Sequence, residues 1–199
     1  MTATRPNVQR LVALQNLAIK FQSIERHVCY AAGDTDRPEN DVEHSYALAM
    51  TAWFLAGHFS ELNQEKVLKY ALAHDLVEVY AGDTSVFADQ TQLDSKAVRE
   101  ARALEQLTEE WPDFTDLIQT MEAYEARATN EALFVYALDK LMPVILNYSQ
   151  QGKGWRKHKI TFAQLHDIKK DKVKAHRIVE HYYDELCALM SDKPDLFPT

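Results

Sequence analysis

Glycine and proline are scarce in this chain, five and six in 199 residues. With so few turn formers, and few alternating runs of β-branched residues, β-strands have little support. Cysteine is almost absent: Cys29 and Cys187 stand far apart and form no CxxC pair. That is the pattern of reduced, packed thiols in a cytoplasmic protein, not of a disulfide framework or a zinc knuckle. No apolar run approaches the length of a membrane span, and the first ten residues, MTATRPNVQR, lack the apolar core of a signal peptide. The expected compartment is the cytoplasm, with no membrane partner. Positive charge is also in deficit, 22 Lys and Arg against 30 Asp and Glu, for a formal charge of -8. Polymeric nucleic acid is bound by clustered Lys and Arg, so it is not an expected partner. A small anion needs only local positive charge or a metal, and stays open. The length fits one domain with a sizeable core.

Helical periodicity runs through nearly the whole chain. Leu11, Leu14, Ala18 and Phe21 recur at helical spacing after Pro6, which suits a first helical turn. Asp41 is the expected cap of a second helix from about Val42 to Gly57, with Tyr46, Ala49, Met50 and Trp53 as its inward stripe. Asn63 is the expected cap of a third, continuous through Val67, Tyr70 and Ala71 to Gly82. Charged amphipathic helices are expected over Asp94 to Trp111 and Asp113 to Arg127. The most apolar stretch, Asn130 to Gln151, predicts a central helix, kinked or locally irregular at Pro143. Gly152-Lys153-Gly154 ends it, and Thr161 to Met190 makes one long or two shorter helices. The fold class is all-α, an antiparallel or orthogonal bundle.

Against this background four polar residues stand out. His44 lies early in the second expected helix, His74 and Asp75 midway through the third, and Asp139 inside the central one. Each sits in an apolar, helix-periodic context, where an unpaired carboxylate or an unsatisfied imidazole costs several kcal/mol. A shared divalent metal compensates all four at once. Mixed nitrogen and oxygen ligation favours manganese, iron, cobalt, nickel or zinc over calcium or magnesium. Four protein ligands leave positions open for water and substrate, which is a catalytic design. Glu78 follows His74 by one turn on the same face, and Asp83 follows the Gly82 stop.

A His-Asp pair alone carries little information. His166-Asp167 is a second one, and its neighbours Lys169, Lys170, Asp171 and Lys172 describe a solvated helix face. Each of the four residues singly is equally well read as a hydrogen-bonded core group; their joint occurrence with Glu78 and Asp83 is what points to a site. Lys140 reads either as a substrate contact or as a side chain reaching from the core helix to solvent. Trp155 and His158 read as packing more readily than as a lid.

The order His44, His74-Asp75, Asp139 resembles the signature of the HD-domain superfamily of metal-dependent phosphohydrolases. RPENDVEHS (37–45) and HDLVEVYAGD (74–83) are similar, more narrowly, to its 5′-deoxynucleotidase (YfbR-like) branch, and GKGWRKHKIT (152–161) resembles a tail found in small relatives. The resemblance implies an HD-domain helical bundle over residues 1–199, with 161–199 as a C-terminal helical extension packed on it. It implies that His44, His74, Asp75 and Asp139 hold one divalent ion, that Glu78 is the acid/base group, and that Asp83 lies near the leaving group or sugar. Arg37 and Glu39 match the segment leading to the first ligand. Arg26, Arg37 and Lys140 are the candidate cations for a phosphoryl group. The branch usually carries an Arg-Trp pair upstream of the first histidine; here that stretch offers Arg26, His27, Tyr30 and Arg37 but no Trp, which bears on base and sugar selection. The implied activity is hydrolysis of (deoxy)nucleoside 5′-monophosphates, in a homodimer. Action on another phosphoester, such as a cyclic nucleotide diester or a guanosine pyrophosphate, and a non-catalytic metal- or nucleotide-binding module are the alternatives.

Overall fold

The computed structural model describes residues 5–31, 33, 36–84 and 88–198. Residues 1–4, the head of the segment examined for a signal peptide, lie outside the described residues. Helix α1 (Val8–Gln22) starts at Asn7, whose side chain accepts from the Arg10 amide, one of the four donors a helix start leaves without partners. The chain then forms a short antiparallel ribbon, β1 (Glu25–Tyr30) against β2 (Pro38–Asn40), with Glu25 opposite Asn40 and Tyr30 opposite Pro38. The bundle is all-α apart from this ribbon among the described residues. Six and three residues are too few to show an alternating pattern, so the sequence gives no sign of it.

Helix α2 (Asp41–Ala56) is capped by Asn40, which corrects the expectation that Asp41 is its cap. The Asn40 side chain accepts from the Glu43 amide while the Glu43 carboxylate accepts from the Asn40 amide, a reciprocal capping box. Asp41 is thereby one residue inside the helix, fully buried and free to face the interior. The inward stripe is also different. Ser45, Leu48, Ala52, Leu55 and Ala56 are buried, whereas Tyr46, Met50 and Trp53 are 65%, 46% and 52% exposed. Ala49 alone of the expected stripe is buried.

Helix α3 (Gln64–Ala73) is capped by Asn63, but it does not run on to Gly82. Residues 74–77 form a tighter turn, with the amides of Leu76, Glu78, Val79 and Tyr80 reaching back three residues in place of four, before a single turn α4 (Glu78–Ala81). Helices α5 (Gln90–Glu110, capped by Asp89) and α6 (Thr115–Glu125) follow. Trp111, Leu107, Ala103, Ile118 and Met121 enclose Leu17 of α1 together with Ala73 and Val77, a second, smaller core beneath the α3–α4 break.

The main core is organised on α7 (Asn130–Ser149), where Phe134, Val135, Leu138 and Leu141 are completely or almost completely buried. α7 packs on α2, α3, α9 (Phe162–Val173) and α10 (Arg177–Ser191). It continues through Pro143, which lacks the N–H that would bond the Asp139 carbonyl. α8 (Lys153–Lys157) begins after Gly152, whose φ of 70° is left-handed. A Cβ there would meet the Leu196 carbonyl at 1.9 Å, so only glycine allows the C-terminal 3-10 turn (Pro194–Leu196) to lie against this corner. Trp155 then stacks on Phe197 with centroids 4.8 Å apart.

Candidate metal centre and its cavity

Three helices converge on one point. From α2, His44 places Nε2 3.0 Å from Asp139 Oδ1, while its Nδ1 lies 3.6 Å from Glu39 Oε2. His74, at the C-cap of α3, donates from Nδ1 to the Ala71 carbonyl at 2.9 Å. That bond fixes the ring and turns Nε2 inward, as is common for metal-binding imidazoles. His74 Nε2 lies 3.0 Å from Asp75 Oδ2 and 3.8 Å from Asp139 Oδ1, yet it has no hydrogen-bond partner of acceptable geometry. The two rings are 5.4 Å apart, and one ligand atom from each of His44, His74, Asp75 and Asp139 lies within 4.8 Å of the others. Two imidazole nitrogens and two carboxylate oxygens, with a buried orphan nitrogen among them, form a site for one divalent cation.

Asp75 and His74 meet at the centre from adjacent positions in the tighter turn of residues 74–77, with His74 Nε2 3.0 Å from Asp75 Oδ2, and Glu78 stands beside Asp75. Arg26, projected from β1 with its side chain 14% exposed, joins the carboxylates: Nη1 is 3.0 Å from both Asp41 Oδ1 and Asp75 Oδ2, Nη2 is 3.9 Å from Asp139 Oδ1, and Nε is 3.7 Å from Glu39 Oε2. Lys140 donates to Asp139 Oδ2. Arg37 is elsewhere: its guanidinium grips the Glu43 carboxylate and the Pro38 carbonyl at the exposed start of α2.

Electrostatics divide the acids into two groups. Burial raises Asp75 and Asp139, but protonated His74 beside Asp75, and Lys140 with both imidazoles beside Asp139, outweigh it and hold both carboxyls far below the usual range. Burial works against the charge of His74, yet Asp75 and Asp139 bring it up to about 10. Glu78 is pushed up to about 11, first by burial and then by the negative charges of Asp75, Asp41 and Asp83. Asp41, buried beside Asp75, rises to about 6. Asp41, Asp75 and Glu78 also stand within 4.8 Å of one another, and Glu78 Oε2 and Asp41 Oδ2 have no hydrogen-bond partners. Without a metal, His74 therefore carries a proton at neutral pH that a cation must displace. Titrating the metal-free protein with a divalent ion at pH 7 should release about one proton per ion from this ring; calorimetry in two buffers of different ionisation enthalpy measures it, and equal heats in the two would contradict it.

A cavity of about 120 Å³ opens beside the centre. Arg26, Asp75, Glu78, Asp83, Asp139 and Lys140 line one side. Asp83 is partly buried, with Oδ2 4.0 Å from His27 Nε2. Residues 81–84 are tied down by Arg99 of α5, which donates to the Ala81 carbonyl and to Thr84 Oγ1. Trp155 is buried and forms cavity wall, while His158 is exposed and pairs with the Tyr30 hydroxyl at 3.2 Å.

Two residues at the site were missed in the sequence. Asp41 was assigned to a cap, although its spacing of three from His44 places both on one face. Lys169 was counted with a solvated face. Asp167 and Lys170 do pair there in solvent, but Lys169 is only 9% exposed and lines the cavity. Its step of four from Leu165 and to Val173, both buried, is the signal that could have found it.

Comparison with known proteins agrees with this geometry. A family model described as "HD domain" matches residues 19–180. The human 5′-deoxynucleotidase HDDC2 is 32% identical over 109 residues, 54% of this chain and 52% of that one; the Xenopus laevis protein of the same name is 32% identical over 122 residues, 59% of each. The chain thus spans somewhat over half the length of the curated relatives it matches. A crystal structure from Magnetospirillum magnetotacticum, described as a "predicted metal-dependent phosphohydrolase", superposes with a TM-score of 0.76 at 28% identity, covering 98% of this chain and 100% of that one.

Proposed function

The chain belongs to the HD-domain family, and from that footing we propose that it is a metal-dependent phosphohydrolase, a 5′-nucleotidase that converts (deoxy)nucleoside 5′-monophosphates to nucleoside and phosphate. The observation that carries this is the convergence of His44, His74, Asp75 and Asp139 near buried Glu78, which lines the adjoining cavity and whose Oε2 has no hydrogen-bond partner among the described residues. The matched relatives named as 5′-deoxynucleotidases support the choice of substrate. When bound, the cation supplies Lewis-acid chemistry, withdrawing charge from the phosphoryl group and acidifying water. Arg26 and Lys140 offset the negative charge of Asp41, Asp75 and Asp139 and keep those carboxylates in place. Glu78 Oε2, with no competing partner, accepts or returns the proton of the attacking water. Asp83, on the same wall, meets the departing 5′ oxygen. Arg37, engaged by Glu43, is assigned to the entrance segment and not to the phosphoryl group.

We further propose that the enzyme works in the cytoplasm as a homodimer. Two unpaired cysteines support the compartment, and the exposed Tyr46, Met50, Trp53 and Phe54 of α2 support a covered face. Among the described residues no helix is long and apolar enough to cross a membrane. Phosphate release from a panel of nucleoside 5′-monophosphates, cyclic nucleotides and pyrophosphorylated nucleotides, with metal content determined in parallel, tests the assignment. Release confined to the monophosphates supports it. Turnover of only the diesters or pyrophosphates, or nucleotide binding with no release from metal-loaded protein, overturns it.

A further inference from the structure

Among the described residues, the Arg and Lys side chains that line this cavity all have a carboxylate partner except one. Arg26 is held by Asp41 and Asp75, Lys140 by Asp139, and Lys96 by Glu100 at 3.3 Å. Lys169 of α9 lines the same cavity, is nine-tenths buried, and takes part in no hydrogen bond or ion pair among the described residues. An ammonium on a side chain nine-tenths buried is costly without a counter-ion, and Leu165, Ile168 and Ile160 of the same cavity wall offer it nothing polar. Lys140 and Asp139 are both close enough to act on its charge, Lys140 with the larger, repulsive effect. Lys140 and Lys169 thus share one small cavity, and of the two only Lys140 has a carboxylate partner among the described residues.

We propose that Lys169, together with Lys140, forms a binding subsite for the dianionic phosphoryl group of the substrate. Lys140 is shared with Asp139, so Lys169 supplies the donors that are not already taken. Its apolar surroundings strengthen a contact to phosphoryl oxygen that water would otherwise weaken. A monoester, with two negative charges on one phosphorus, matches this pair of cations beside a metal better than a singly charged diester does. The assignment rests on the phosphohydrolase reading of the cavity and adds to it both the charge state of the group recognised and a role for α9.

The test uses manganese-loaded protein and inorganic phosphate as the probe, by calorimetry, with KM and kcat for the best monophosphate. Lys169→Met should weaken phosphate binding and raise KM by about tenfold or more, the scale of a charged hydrogen bond. Metal content should be unchanged, and Tm equal or higher, because an unpaired buried charge has been removed. Lys169→Arg should recover most of the binding, and Lys170→Met, on the solvent side, should change nothing. Lys169→Met that binds phosphate as tightly as the parent overturns the proposal; so does weakened binding accompanied by metal loss or a lowered Tm, which marks a structural lysine. Should the methionine variant fail to fold, Lys169→Gln answers the same question. If the metal-loaded parent itself neither binds phosphate nor hydrolyses any monophosphate, the functional reading fails and not the assignment of Lys169 alone.

Discussion

Replacing Glu78 with glutamine is expected to lower kcat by about 10²- to 10⁴-fold, the usual contribution of a positioned acid/base group, while the protein still takes up its metal. The expectation comes from the separation of roles in the site. The convergent ligand atoms belong to His44, His74, Asp75 and Asp139, and Glu78 stands outside that set, contributing a buried oxygen that bonds to nothing. Burial and the surrounding acids push its carboxyl up to about 11, so in the metal-free protein it is neutral, and glutamine reproduces that form in both shape and charge. Folding should thus be indifferent to the change. Glutamine has no proton to exchange at Oε2, however, and it is there that the reaction should fail. The measurements are kcat, metal per chain and Tm on one preparation. A variant as fast as its parent would remove Glu78 from the mechanism, and one that is slow because it lacks metal would make Glu78 a ligand.

How much of this was legible in the sequence depended on whether local pattern or tertiary geometry decided the position. The central helix could be read because Phe134, Leu138 and Leu141 keep a helical period through twenty residues. Asp139 stood out within it because a carboxylate interrupts an otherwise apolar face. The orientation of α2 could not be read the same way. Tyr46, Met50 and Trp53 repeat as regularly as Leu48, Ala52 and Leu55, so both faces satisfy the same periodicity, and only packing on α3 and α7 selects between them. Asp41 and Asn40 are both good caps in adjacent positions; the reciprocal bonds with Glu43 settle the choice and leave the aspartate to the site. The arginines reversed their order of interest. Arg37 carried the more suggestive motif, whereas the ribbon that brings Arg26 beneath Asp41 and Asp75 is a pairing of segments eight residues apart with no periodic trace. The turn at residues 74–77 was hidden for a related reason: nothing in ALAHDLVEVYAG breaks helical periodicity, and the tightening there goes with the placement of Asp75.

Asp139→Asn should remove metal and activity together. Asp139 is the side chain on which the whole centre depends: one oxygen lies 3.0 Å from His44 Nε2, 3.8 Å from His74 Nε2 and 3.9 Å from Arg26 Nη2, and the other accepts from Lys140. Asparagine keeps the shape but leaves these cations without their shared charge and presents an amide to the ion. Activity is expected to fall by more than about 10³-fold, since losing the cation removes more than a single transition-state hydrogen-bond donor would. The metal-free variant should also be less stable than the metal-free parent, by about 3–5 kcal/mol, because breaking a buried ion pair strands its partner. Chelation separates the two effects. In the parent, a divalent ion at a hundred times its dissociation constant should add about 2.7 kcal/mol of stability by mass action, and a chelator should return the protein to its metal-free Tm. In Asp139→Asn the same ion should leave Tm where it is. A variant whose Tm still rises with the metal, and whose metal content per chain matches the parent's, would show that Asp139 is a core carboxylate paired with Lys140 and that the ion, if any, is held by others.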